Sequence, residues 1–437
     1  MSISKSLLVA ITVIITGCYF FPFVLEAFPI ANSKMVLAAL GLVMFGINLA
    51  KKNNAGIDLD FANLSLWALG VSLVAYTSIT ANNTPDDTFV TYFMSMWVWM
   101  GGAYFAVMFM KYIHGDVSVP VVVNYLLAVC VVQCVLALIF NNCAAAEAWH
   151  ASTFGGEGYM GNTEERRLHG IGCSLDVAGF RFAAVICMAT FLVVSRKWKR
   201  TNWTDYLYLA SICFISLVGN MISRSTIIGT IISIVIICIS AFVNNNIRLV
   251  TELSLIIMAT VGVSVFLYKT DPIFRSNLAF GFEGFFSLIE KGEWQTNSNN
   301  ILKNMVIWPD NLKTWLIGDG YFNNPSDKSL DTYDPYFVGN FHGYYMGTDI
   351  GYLRYIFYFG VVGLATFSTF FVQAYNVLRR RFPSFKWMFF LALAINFIQW
   401  IKVSTDLFVV FAPFLCLSFL KEENGSIGCE AKSKLTA

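Results

Sequence analysis

A guanidinium is well shaped to hold a phosphate or pyrophosphate, because its planar fork offers donors to two oxygens at once. This sequence sets arginines at the ends of apolar runs. Arg224 stands in Asn220-Met221-Ile222-Ser223-Arg224-Ser225-Thr226, a polar break between two apolar stretches, and Arg354 lies just inside another in Asp349-Ile350-Gly351-Tyr352-Leu353-Arg354. A charge at such a depth is costly unless it snorkels to headgroups or finds a partner. Snorkelling and anion binding are therefore both open readings for each. Arg166 and Arg167 stand in Thr163-Glu164-Glu165-Arg166-Arg167-Leu168-His169-Gly170, and Arg181 opens the next apolar run. The adjacent Glu164 and Glu165 equally allow a plain solvated ion-pair cluster.

Acid–base chemistry has fewer candidates. His342, in Asn340-Phe341-His342-Gly343-Tyr344-Tyr345, precedes Asp349 by seven residues, and a neutral imidazole can take a proton from a hydroxyl near neutral pH. Asp349 and Glu165 are the alternative bases. A lone loop histidine is more often structural or merely exposed. No HExxH, paired CxxC, Walker loop or GxSxG elbow occurs, which argues against metalloproteases, nucleotide triphosphatases and lipase-like hydrolases. The expectation is chemistry with no metal and no cofactor.

The elements that must position these residues are membrane spans. The chain is 437 residues long, 57% hydrophobic and 13% charged, whereas soluble domains carry about 25% charged residues. Apolar runs long enough to cross about 30 Å of hydrocarbon recur from residue 6 to residue 420. Twelve are distinguished, the first over 6–25, with 35–50 and 407–420 short. Residues 1–437 are expected to form a single all-α, polytopic transmembrane helical bundle. The net charge of +2 gives no argument for nucleic acid.

Basic clusters fix the orientation, because cytoplasmic connections carry the excess of Lys and Arg. Lys51-Lys52, Lys111, Arg196 to Arg200, Arg248 and Arg379-Arg380-Arg381 all follow even-numbered spans. Both termini are thus expected in the cytoplasm, Lys34 and Lys402 being the clearest exceptions to the rule. Two long polar segments then fall outside, residues 141–176 and a large loop over 268–349 between spans nine and ten. The second is rich in aromatic residues, with helix-like spacing over 277–294 and 299–308, and is expected to form a compact cap on the membrane. Cys143 and Cys173 flank the first and are candidates for a disulfide. Most other cysteines lie in apolar runs as packing residues.

Four segments together resemble the O-antigen polymerase and O-antigen ligase superfamily of bacterial envelope glycan assembly. They are Arg167-Leu168-His169-Gly170 with Asp176-Val177-Ala178-Gly179; Ser223-Arg224-Ser225; Ile317-Gly318-Asp319-Gly320-Tyr321; and Asp349 to Arg354 leading to Phe359-Gly360-Val361-Val362-Gly363-Leu364. The resemblance covers roughly residues 140 to 380. It implies a glycosyltransferase of the bacterial inner membrane that polymerises undecaprenyl-pyrophosphate-linked oligosaccharide repeat units at the periplasmic face. By motif, Arg167, Arg224 and Arg354, with Arg181 nearby, bind the donor pyrophosphate. His342, Asp349 or Glu165 serves as base, and a chain-length regulator is an expected partner. Gly343 follows His342 where ligases often carry His-Asn, which favours polymerase over ligase. A polysaccharide flippase is the competing reading from another class.

Overall fold

A computed structural model describes residues 3–51, 58–154, 167–195, 203–244, 247–324 and 343–417. Helices account for about 80% of it. They are α1 (Ile3–Phe20), α2 (Ser33–Lys51), α3 (Leu59–Asn82), α4 (Tyr92–His114), α5 (Val119–Asn142), α6 (Ala144–Phe154), α7 (Leu175–Ser195), α8 (Trp203–Ile222), α9 (Thr226–Asn244), α10 (Ile247–Thr270), α11 (Pro272–Gly281), α12 (Glu283–Lys291), α13 (Asn297–Asn304), α14 (Leu312–Ile317), α15 (Gly351–Arg381), α16 (Lys386–Gln399) and α17 (Phe408–Leu417). Among the described residues nine helices, α2–α5, α7–α10 and α15, are long and apolar enough to cross a membrane. The chain is a helical, multi-pass membrane protein.

Burial orders the bundle. In α7, 83% of the spanning stretch is buried against other helices, compared with 11% in α10. A helix apolar on every side can sit either in the core or in lipid. The small side chains Ala178, Ala183, Ala184 and Ala189 give α7 the close packing that stabilises a membrane core, where lipid is as apolar as leucine. The exposed Leu255, Met258, Val263 and Phe266 turn α10 outward instead. At one end of the bundle Arg380 and Arg381 of α15 pair with Asp60 at 2.6 and 3.2 Å, tying that helix to the start of α3. The opposite end carries α11–α14 and is called the cap face below.

Several boundaries differ from the sequence expectation. The first run ends as helix at Phe20, because Pro22 follows and residues Val24–Leu25 pair antiparallel with Phe28–Asn32 in a short hairpin. The expected 277–294 helix is two helices. Phe282 leaves helical geometry between α11 and α12, and Gly292 ends α12 in the left-handed conformation. The short helix α6 lies within the 141–176 segment. About a third of the way along α15, Phe359 and Gly360 depart from helical dihedrals. A Cβ at Gly360 would lie 2.1 Å from the Leu316 carbonyl oxygen, so only glycine lets α14 seat against this kink.

The disulfide expectation is corrected as well. Cys143 caps the end of α5 as a free, exposed thiol, whereas Cys173 is buried and its backbone bridges to Gly170. An impermeant maleimide is therefore expected to modify Cys143 without prior reduction and to leave Cys173 untouched. Labelling that required a reductant would restore the disulfide.

Candidate functional site

The sequence motifs meet on the cap face, at the ends of α7, α9, α15 and the turn after α16. Asp176 occupies the first turn of α7, where a carboxylate is favoured by the helix dipole. Leu175 just before it holds a positive φ of 52°, a conformation that non-glycine residues keep only when their surroundings enforce it. Gly179, one turn on, explains the Asp-x-x-Gly spacing, because a Cβ there would come within 2.5 Å of the Ser223 hydroxyl. Its absence lets the Ser223–Ser225 turn lie against α7. Ser223 and Ser225 both donate to Asp176 Oδ1, which also accepts from Lys402 Nζ at 2.8 Å. Lys402 reaches this point because Tyr352 N at the start of α15 donates to the Trp400 carbonyl, joining that helix end to the turn after α16.

Arg354 extends the cluster. It is 5% exposed, and both terminal nitrogens are engaged while the buried Nε has no hydrogen-bond partner. Nη1 donates to Ser404 Oγ at 2.6 Å, and Nη2 donates to the Phe322 carbonyl and Asn323 Oδ1, both at 2.8 Å. Its Cζ lies 3.7 Å from the centroid of the Phe322 ring and 4.4 Å from that of the Tyr344 ring. Asp349 Oδ1 stands 3.7 Å from Arg354 Nη1. Burial pushes the Asp349 carboxyl up to about 7, aided by Asp176 and opposed by Arg354, Lys402 and a hydrogen bond from Tyr344. A carboxyl that titrates near neutrality can accept a proton at working pH.

Arg224 points to the other side of its turn. Nε donates to the Phe280 carbonyl at 3.0 Å, Nη1 donates to Ser298 Oγ at 3.3 Å, and Nη1 lies 2.5 Å from Glu283. Arg224 is thus partnered within the protein, since α11, α12 and α13 each supply one contact. Arg167 and Arg224 share the Phe280 ring at 4.9 and 4.2 Å, which brings two of the selected arginines together. Beside them α8, α9 and α10 enclose an apolar groove of about 220 Å³, running from Asn220, Ile227 and Phe282 at the cap end toward Ile237 and Leu253.

Arg181 does not join this group. It is buried within α7, donates to the Phe20 carbonyl and lies over the rings of Phe20, Phe21 and Trp99. His342 and Glu165 lie outside the described residues. His150 and His169 pack with ring centroids 4.8 Å apart against Phe140. Burial pushes His150 down to about 4 and lowers His169 also, so both are neutral packing groups below the loop that carries Arg167. The residue that sequence reasoning missed is Lys402, whose only signal was its violation of the positive-charge rule. Comparison with known proteins finds no matching family model, no matching curated protein and no matching solved structure. The functional reading rests on the residues themselves.

Proposed function

We propose that this chain is an O-antigen-polymerase-type glycosyltransferase that joins undecaprenyl-pyrophosphate-linked oligosaccharide repeat units. The observation that carries the reading is the gathering of Arg167 and Arg224 on one ring beside an apolar groove, with the near-neutral Asp349 in the adjoining cluster. In this proposal the lipid tail lies in the groove and the pyrophosphate sits at the arginines. The acceptor hydroxyl attacks the anomeric carbon of the donor, its proton passes to the Asp349 carboxylate, and the sugar–phosphate C–O bond breaks. The electron pair leaves on undecaprenyl pyrophosphate, where the guanidinium charges stabilise it. Lys402 and Asp176 hold the turn that carries Arg224. Arg354 instead braces the loop around Asp349.

The full topology belongs to the proposal: twelve spans formed by α1–α5, α7–α10 and α15–α17, the cap face periplasmic, both termini cytoplasmic, in the bacterial inner membrane. The partners are lipid-linked glycans, membrane lipid and a chain-length regulator. Reporter fusions test the topology, with Asn324 expected to read periplasmic and Ser384 cytoplasmic; the reverse pattern would place the site on the wrong face. A lipopolysaccharide or capsule gel from a deletion strain tests the activity. Single-repeat product supports a polymerase. Lipid-linked polymer that never reaches lipid A indicates a ligase, and intermediate trapped in the cytoplasm indicates a flippase.

A further inference from the structure

The short helix α14 leaves an apolar surface uncovered although it sits in the polar loop region. Leu312 is 72% and Leu316 45% exposed, and Trp308, 61% exposed, stacks on Trp315 with ring centroids 5.9 Å apart. What covers this surface follows from its depth. Ser78 Oγ of α3 donates to the Ile317 carbonyl and to the Tyr358 carbonyl, both at 2.7 Å. Asn82 and Thr84 bind the carbonyls of Gly318 and Gly320 in the same way. At the other end of α3, Asp60 meets Arg380 and Arg381, a charged cluster that belongs at a membrane–water boundary. Eighteen residues separate Asp60 from Ser78, roughly 27 Å of helix at 1.5 Å per residue. The hydrocarbon layer is about 30 Å thick. The end of α14 therefore sits at the second boundary, not in bulk water.

The neighbouring surface agrees. Leu73 and Tyr76 of α3 are exposed on the flank of the bundle, and Val361 and Val362 of α15 are exposed immediately after the Gly360 kink that receives the Leu316 carbonyl. The uncovered face of α14 continues this lipid-facing wall. Tryptophan favours that depth, where its ring meets apolar chains and its N–H meets polar groups; Trp315 Nε1 donates to the Pro309 carbonyl at 3.0 Å.

We infer that α14, with Trp308 and Trp315, is an interfacial anchor that lies among the phospholipid headgroups and upper acyl chains of the cap-face leaflet. The anchor is a binding surface for lipid, independent of the proposed activity. It also bears on the site. The chain leaves α14 through Asp319 and Gly320, whose N–H groups donate to the carbonyls of Phe357 and Tyr358. It then arrives at Phe322 and Asn323, which hold Arg354.

The test uses the full chain in vesicles of phosphatidylethanolamine and phosphatidylglycerol, with p-benzoylphenylalanine replacing Leu312, Leu316, Val362 or Asn304 in separate samples. After irradiation, the Leu312 and Leu316 positions are expected to gain the mass of one phospholipid, as the lipid-facing Val362 position does, while the exposed Asn304 position of α13 does not. Adducts at Val362 but at neither Leu312 nor Leu316 would overturn the anchor. So would crosslinking of those two positions to another protein chain in place of lipid.

Discussion

Replacing Asp349 with Asn is expected to lower the rate of polymer formation by roughly 10²–10⁴-fold, the usual contribution of a positioned general base. The protein should insert and purify normally, because Asn keeps the side-chain volume and can still accept from Tyr344. Two pH measurements separate this reading from a structural one. A base that must be ionised, with its carboxyl near 7, gives the wild type a rate that rises with pH through an acidic limb near that value. Lys402→Met removes a cation that holds the Asp349 carboxyl down, so its limb should move to higher pH. Stability has the opposite sign. A carboxyl raised above its ordinary value of about 3.9 contributes stability that is fully present below that value and is lost as pH rises through about 7. Asp349→Asn, which cannot ionise, should therefore be no less stable than wild type on the alkaline side while remaining inactive. A flat wild-type rate profile across neutrality would remove Asp349 as the base.

Hydropathy made the bundle legible because the bilayer allows the backbone few alternatives to helix. Every long apolar run in the sequence corresponds to a helix, and the motif segments that stood far apart in the chain do converge. What failed was local geometry. The break at Phe282 and the kink at Phe359–Gly360 arise from tertiary packing, α11 turning back over α8 and α14 pressing on α15. Helical periodicity within the segment carries no sign of either. Arg181 was selected for its closeness to Arg167 in sequence. Five residues along α7 from Asp176, it is displaced by about 7.5 Å and turned by about 140°, which carries it away from the Asp176 cluster to the Phe20 carbonyl.

Lys402 was hidden for the complementary reason. In the sequence it is one cation in a short connection, and nothing local pairs it with Asp176, 226 residues earlier. Separation in sequence likewise hid Glu283 from Arg224. One exception to the charge rule, Lys402, thus marked the cluster, while His342 lies outside the described residues. A lysine that breaks the rule must be stabilised by something, and here the stabilising carboxylate belongs to the cluster.

The pairing of Arg224 with Glu283 sharpens the second large effect. If Arg224 clamps the pyrophosphate, Arg224→Ala should lower polymer formation by roughly 10²–10³-fold, comparable to losing one preorganised donor to a developing anion. Arg224→Lys should recover little, because ammonium restores charge without the fork. The decisive variant is Glu283→Gln. Glu283 is about one-third exposed, so neutralising it leaves Arg224 able to hydrogen-bond Ser298 and the Phe280 carbonyl. A clamp must exchange Glu283 for substrate phosphate, and removal of the competing carboxylate should leave activity intact or lower the substrate concentration needed for half-maximal rate. A purely structural Arg224 makes the contrary forecast: its role is to hold α12, Glu283→Gln loosens that helix, and Gln and Lys variants should lose protein level together with activity. Full-length polymer from Arg224→Lys at normal protein level would reject a forked clamp, and full-length polymer from Arg224→Ala would remove the residue from the site.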